Sequence, residues 1–284
     1  MSNPTLLAVA HGSKDPAAQE TVGVLARQIR RLAPVLDVRV AFVQHAEPAL
    51  PDVLSAAGAN TVIVPLLLST GYHLRTDIAR AASEVGARVA DQLGPDLLLV
   101  TALAGRLTQA GVPDGTPVVL AAGGSSDPAA EADIQAQAAL LAERLAVPVV
   151  PAYASAGRPR VPEAVADLRE RTGQPVAVAT YLLAPGHFHD QLQHAGARWV
   201  TAPLGGHPAM AGLVIDRYRT ASRRPAAATA GSAGAEAEAA AGAEAEAAAA
   251  AEAGLRIGWR LADAAVGEDG PVGAGLRARD ARAP

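Results

Sequence analysis

Two histidines stand where a chain most readily places chemistry. His11 directly follows the apolar run Leu6-Leu7-Ala8-Val9-Ala10, and His73 closes the segment Ser69-Thr70-Gly71-Tyr72-His73 behind a second apolar run. Neutral imidazole binds divalent transition-metal ions, and it accepts a proton near neutral pH. Two imidazoles at neighbouring strand ends can share one ion. Gly12 lets backbone approach a ligand closely, and Ser13 is placed to cap a following helix. Taken singly, each histidine reads as readily as a hydrogen-bonded loop residue, so the elements around them must decide.

Those elements alternate. Short apolar runs at 6–10, 38–43, 61–67 and 97–100 read as strands, and Ala/Leu/Arg stretches at 17–32, 48–57 and 76–89 as helices. The programme then repeats, with strands at 118–122, from 149, at 175–181 and at 199–200, and helices at 128–145, 162–171 and from 190. Strands alternating with helices predict parallel sheets covered by helices on both faces. The two halves also match residue by residue. The frame His11-Gly12-Ser13-Lys14-Asp15-Pro16 answers to Gly123-Gly124-Ser125-Ser126-Asp127-Pro128, and Gly71-Tyr72-His73 to Gly186-His187-Phe188. Leu93-Gly94-Pro95 answers to Leu204-Gly205-Gly206 at nearly the same spacing. Two homologous α/β domains are expected, 4–110 and 116–222. The repeat is also an internal control. The second copy keeps the frame with Gly123 opposite His11 and Phe188 opposite His73, so folding needs neither histidine, and their joint loss points to a joint role in the first copy.

Composition narrows the field. Half of the 284 residues are apolar but only 3% are aromatic, so the core must be Val, Leu, Ile and Ala, as suits parallel strands buried on both faces. The net charge of −4 lacks the basic excess of a nucleic-acid binder. No stretch has the length and Leu/Ile/Val character of a membrane span, and no signal peptide is visible. With no cysteine there are no disulfides, thiolate zinc sites or cysteine-held clusters, and a cytoplasmic location fits. Residues 223–284 are an Ala/Glu/Gly-rich low-complexity tail, expected to be disordered.

Other uses of the histidines are weaker. A phosphate-ester enzyme using His11 as nucleophile would need an arginine before it, and Ala10 stands there. Gly71-Tyr72-His73 has no P-loop character. Gly123-Gly124-Ser125 reads as a plain turn rather than a phosphate cradle.

The segments Ala8-Val9-Ala10-His11-Gly12-Ser13, Phe42-Val43-Gln44-His45-Ala46-Glu47-Pro48 and Val64-Pro65-Leu66-Leu67-Leu68-Ser69-Thr70-Gly71-Tyr72-His73, with Asp77-Ile78 following, resemble the sirohydrochlorin chelatases of the CbiX/SirB type, class II chelatases, in a two-domain form. The resemblance covers residues 4 to about 222 and leaves the tail unmatched. It implies chelatase-like (flavodoxin-like) domains and insertion of Fe²⁺ or Co²⁺, with Ni²⁺ a further candidate, into sirohydrochlorin, for sirohaem or cobalamin. The metal is a substrate and no cofactor is permanently bound. It maps metal-binding and catalytic roles onto His11 and His73. Where some relatives carry an acid after the Phe-Val pair, this chain has Gln44; either the acid is dispensable or His45 or Glu47 takes over. Ser13, Lys14, Gln44, His45, Glu47, Gly71, Tyr72, Arg75 and His187 are expected around the anionic macrocycle, with Arg158 and Arg160 in loops near strand ends. His189 and His194 are expected to be ordinary loop histidines, and His207 structural. Monomer and homodimer are both open. The rival reading is a non-catalytic tetrapyrrole or metal carrier on the same scaffold.

Overall fold

The computed structural model describes residues 3–125 and 127–224; for residues 72–75 it describes backbone only. The expectation for the tail therefore lies outside the described residues beyond 224.

The first half runs β1 (Thr5–Ala10), α1 (Pro16–Leu32), β2 (Val38–Phe42), α2 (Leu50–Ala57), β3 (Thr61–Pro65), α3 (Tyr72–Val85), β4 (Arg88–Val89) and α4 (Leu97–Gln109). The second runs β5 (Val118–Ala122), α5 (Pro128–Leu145), β6 (Val149–Tyr153), α6 (Val161–Thr172), β7 (Ala177–Tyr181), α7 (His187–Leu192), β8 (Trp199–Val200) and α8 (Pro208–Arg223). Each half holds a four-stranded parallel sheet, in the orders β2-β1-β3-β4 and β6-β5-β7-β8. The expected α/β class with two matching sheets is what the chain forms. β1 lies between β2 and β3, with Val9 paired to Ala41 on one side and Pro65 on the other. The ends of β1 and β3, where the two histidine segments begin, are thus neighbours.

Both faces of each sheet are dry, which is why the strands read as unbroken apolar runs rather than as alternation. In β1, Leu6, Ala8 and Ala10 face one core, while Leu7 and Val9 face another under α2 and α3. The core containing Leu6 and Ala8 runs on without a break through α1, α4 and α8 to Leu120, Ala177 and Ala179 of the second sheet. The halves exchange their last helices. α4, from the first half, packs on α5 and β7, and α8, from the second, packs on α1, β3 and β4. Leu99, Leu103, Met210, Leu213 and Val214 are fully buried by this exchange. Arg217 on α8 ties it down by donating to the carbonyls of Gln92 and Leu93, both at 2.8 Å, and to Asp96 Oδ2 at 2.9 Å.

Several expected boundaries differ. The run 97–100 is not a strand but the first turn of α4, which Asp96 caps by accepting from Leu98 N at 2.7 Å. The fourth strand is the two-residue β4, placed in sequence within a helix; Gly86, at φ +76°, ends α3 first. α3 begins at Tyr72 rather than 76, and α7 at His187 rather than 190. Ser13 does not cap α1. The cap is Asp15, whose Oδ1 accepts from Ala17 N at 2.9 Å, while Ser13 Oγ accepts from Asp15 N at 3.0 Å and so shapes the turn before it. Asp carries the cap because its oxygen reaches a free amide of the first turn while the residue itself stays extended.

Candidate functional site

The site is assembled at the carboxyl ends of β1, β2 and β3, where open α/β sheets place ligands. The backbone of β1 continues as a ladder past its last residue, since Val43 N donates to Ala10 O at 3.1 Å and Gln44 N to His11 O at 2.9 Å. This stitches the segment after β2 to the segment that carries His11. Gly12 completes the contact. At φ +98° it lies so close to that neighbour that an added side-chain carbon would sit 1.7 Å from Gln44 O. Only glycine permits both the conformation and the approach.

His11 is exposed, and its Nδ1 lies 3.0 Å from Gly12 O. A carbonyl can only accept, so Nδ1 carries the proton and Nε2 keeps its lone pair. Metal-binding histidines are commonly oriented in this way. The ring of His45 stands beside it, with centroids 6.0 Å apart and planes tilted by 56°. His45 is also exposed, and its φ of +60° is a left-handed conformation that non-glycine residues adopt at a cost. Gln44 is exposed, and Glu47 Oε2 accepts from Ala49 N at 2.8 Å at the start of α2.

His73 is the second residue of α3, whose N-cap Gly71 ends the loop that follows β3. The expectations for the side chains of Tyr72, His73 and Arg75 lie outside the described residues. The loop leading to His73 is held from the other half. Thr70 donates through both its backbone N and its Oγ1 to Asp133 Oδ2, each at 2.7 Å, and Tyr181 Oη donates to Leu68 O at 2.6 Å. Burial pushes the Tyr181 phenol pKa up, with the Asp133 and Asp96 carboxylates adding to the effect, so the hydroxyl remains a donor.

The second half also borders the site. A side-chain carbon on Gly186 would lie 3.8 Å from Asp15 Oδ2, which sets the turn carrying His187 against the loop after His11. His187 Nε2 meets Gln191 Nε2 at 2.8 Å. Lys14 is exposed and makes no ion pair among the described residues. Arg158 is paired with Glu163, and Arg160 donates its backbone N to Glu163 Oε2 at 2.9 Å, so the Arg158 charge is met within this corner. His207 is structural, as expected: its Nδ1 accepts from Ala209 N at 3.2 Å and caps α8.

One correspondence was not drawn from sequence. Ala154 N donates to Ala122 O and Ser155 N to Gly123 O, repeating the Val43 and Gln44 bonds of the first half. That register sets Ala156 opposite His45 and Arg158 opposite Glu47. The cis bonds Glu47-Pro48 and Arg158-Pro159 fall in step with it. The second half therefore lacks a histidine at this third position too. Among the described residues no three His, Asp or Glu side chains gather into one cluster.

Comparison with known proteins gives a consistent picture. A family model described as CbiX matches residues 5–110 and again 117–221. The chain is 27% identical over 235 residues to a sirohydrochlorin ferrochelatase of Bacillus subtilis, covering 75% of this chain and 90% of that one. It is 33% identical over 119 residues to a sirohydrochlorin cobaltochelatase of Sulfolobus acidocaldarius, covering 39% of this chain and 95% of that one. The structure of SirB from Bacillus subtilis with Fe³⁺ superposes with a TM-score of 0.66 at 26% identity, covering 77% of this chain and 95% of SirB.

Proposed function

Because the chain belongs to the CbiX family, we propose that it is a sirohydrochlorin chelatase, a lyase-type enzyme that inserts Fe²⁺ or Co²⁺ into the macrocycle. One observation carries the reading: His11, whose Nδ1 donates to Gly12 O, presents a free Nε2 at the end of β1, next to the end of β3, and the loop after β3 leads to the helix that carries His73. Insertion moves a divalent ion onto four ring nitrogens while two N–H protons leave. Neutral imidazoles suit both parts. They hold the ion through few bonds and so release it, and an imidazole freed of metal can take a pyrrole proton.

The site's exposure fits a large flat substrate. Sirohydrochlorin carries eight carboxylates, and Lys14, Arg75 and the donors of the β1–α1 turn are the groups proposed to meet them, with Ser13, Gly71 and Tyr72 beside them. His187 borders the same space from the second half. The metal is consumed as substrate, and the reading needs no resident cofactor. Imidazole donors favour Co²⁺ over Fe²⁺ by intrinsic affinity, so metal supply then selects between them.

The test is anaerobic insertion followed by the absorbance of sirohydrochlorin with Fe²⁺ or Co²⁺. Turnover well above the spontaneous rate is expected for the wild type, and about a hundredfold less for His11→Ala and for His73→Ala, the loss typical of a positioned acid–base group. Tight macrocycle binding with no turnover would make the protein a carrier instead.

A further inference from the structure

We propose that His45 works with His11 as a paired imidazole clamp for the incoming divalent ion, supplying the donor that Gln44 cannot. The inference deepens the chelatase reading and rests on it for the fate of the ion, but not for the binding itself.

Four observations converge on His45. The first is distance. Imidazole nitrogen binds a divalent ion at about 2.0–2.1 Å, which puts each ring centre roughly 3.2 Å from the metal. Two rings on one ion are then roughly 5 to 6 Å apart, depending on the angle at the metal. The observed 6.0 Å lies within reach of that by a small rotation of either exposed side chain. The second is orientation, since the Gly12 carbonyl already fixes the His11 tautomer that leaves Nε2 to bind.

The third is backbone conformation. His45 sits at φ +60°, and apart from Ala146, at the C-cap of α5, it is the one non-glycine residue at positive φ among the described residues. Such a conformation costs on the order of 1–3 kcal/mol, and it persists where the side chain has a use for the place. The fourth is the internal control. In the second half Gly123 replaces His11, and the positive φ of the matching turn (+107°) falls on Gly157, one place past Ala156, so the turn that carries no ring uses glycine where the first half uses a histidine.

The nearby alternatives are weaker donors. Gln44 has no charge and its backbone is committed to His11 O. The Glu47 carboxylate is occupied at the start of α2. A clamp of neutral nitrogens carries no compensating negative charge, so it holds a dication less tightly than a carboxylate-bearing set and favours ions late in the order Fe²⁺ < Co²⁺ < Ni²⁺.

Binding of Co²⁺ alone to the full chain, without tetrapyrrole, tests the proposal by anaerobic titration calorimetry and by the visible absorption of the bound ion. The chosen variant is His45→Gly, because glycine adopts positive φ freely and the turn should fold at least as well. The expected result is a thermal midpoint equal to or above that of the wild type, with Co²⁺ affinity at least about tenfold weaker. His11→Ala should lose a similar factor, and His194→Ala, an exposed histidine of the second half, should lose none. Affinity within twofold of wild type in His45→Gly would overturn the clamp, as would an equal loss in His194→Ala. A wild type that shows His45-dependent Co²⁺ binding but no sirohydrochlorin turnover would overturn the chelatase reading and leave the clamp standing. Full turnover with Co²⁺ binding indifferent to His45 would do the reverse.

Discussion

At the scale of single residues, Gly12 controls the site more directly than any side chain beside it. Its φ of +98° and the 1.7 Å separation between a would-be side-chain carbon and Gln44 O are two independent obstacles to substitution. Gly12→Ala must flatten the turn or push the Gln44-His45 segment away from His11. The expected cost is about 3 kcal/mol of stability, read by chemical denaturation, together with loss of Co²⁺ binding. Gly173→Ala is the control. Gly173, the C-cap of α6, also has positive φ, +65°, in the left-handed helical region, but nothing lies within 4 Å of a new side-chain carbon, so only the backbone term of about 1 kcal/mol is expected, with metal binding unchanged. Equal effects of the two substitutions would mean that close approach at Gly12 contributes nothing.

At the scale of elements, the helix caps show what could be read from the sequence and what could not. The strands β1, β3, β5 and β7 and the long helices α1 and α5 were legible because unbroken apolar runs and Asp-Pro starts are local signals. α4 was misread at 97–100, because four apolar residues in a row have no period of their own; the helix emerges only with Ala102, Leu103 and Leu107 counted in. β4 was hidden because its two residues gain strand character only from pairing with Val62 and Ile63. His11 and its frame were legible through the repeat. The closeness of His45 was not, since it depends on a ladder formed between two loops.

The cap of α8 leads to a prediction at this scale. Burial, and then the neighbouring Arg106 guanidinium, hold the His207 pKa below its ordinary value. The ring lies against α4, where a side-chain carbon on Gly105 would come within 2.6 Å of Nε2. Its neutral Nδ1 accepts from Ala209 N, and protonation there removes the acceptor. The unfolded chain therefore binds the proton more readily than the folded one. The contribution is fully present above the unfolded value of about 6.5 and is lost as the pH falls through the lowered folded value. His207→Asn retains a capping oxygen without the titration. Its thermal midpoint is expected to fall less than that of the wild type between pH 7.5 and pH 5. Parallel falls in the two proteins would remove His207 from the acid response.

At the scale of the whole molecule, the exchange of α4 and α8 makes the two halves one structural unit despite their repeated sequence. The half without the histidine pair is not inert. Its Asp133 and Tyr181 hold the loop that leads to His73, and α8 closes the face of the sheet that ends in His11. Cores that run together should melt together, so a single transition with equal calorimetric and van't Hoff enthalpies is expected for residues 3–224. Arg217 provides the sharper test. Its guanidinium and Asp96 are mostly shielded, at 17% and 21% exposure, and the same guanidinium satisfies two carbonyls ahead of α4. Arg217→Leu keeps apolar contact but removes the donor from Asp96 Oδ2 and from both carbonyls. Partial solvent access lowers the cost below that of a fully buried pair, to about 2 kcal/mol. The single transition should shift down by a few degrees without splitting, because the lost bonds lie within the shared core rather than between separable bodies. Two resolved transitions, in the wild type or in Arg217→Leu, would show that the halves fold independently and that the exchanged helices do not couple them.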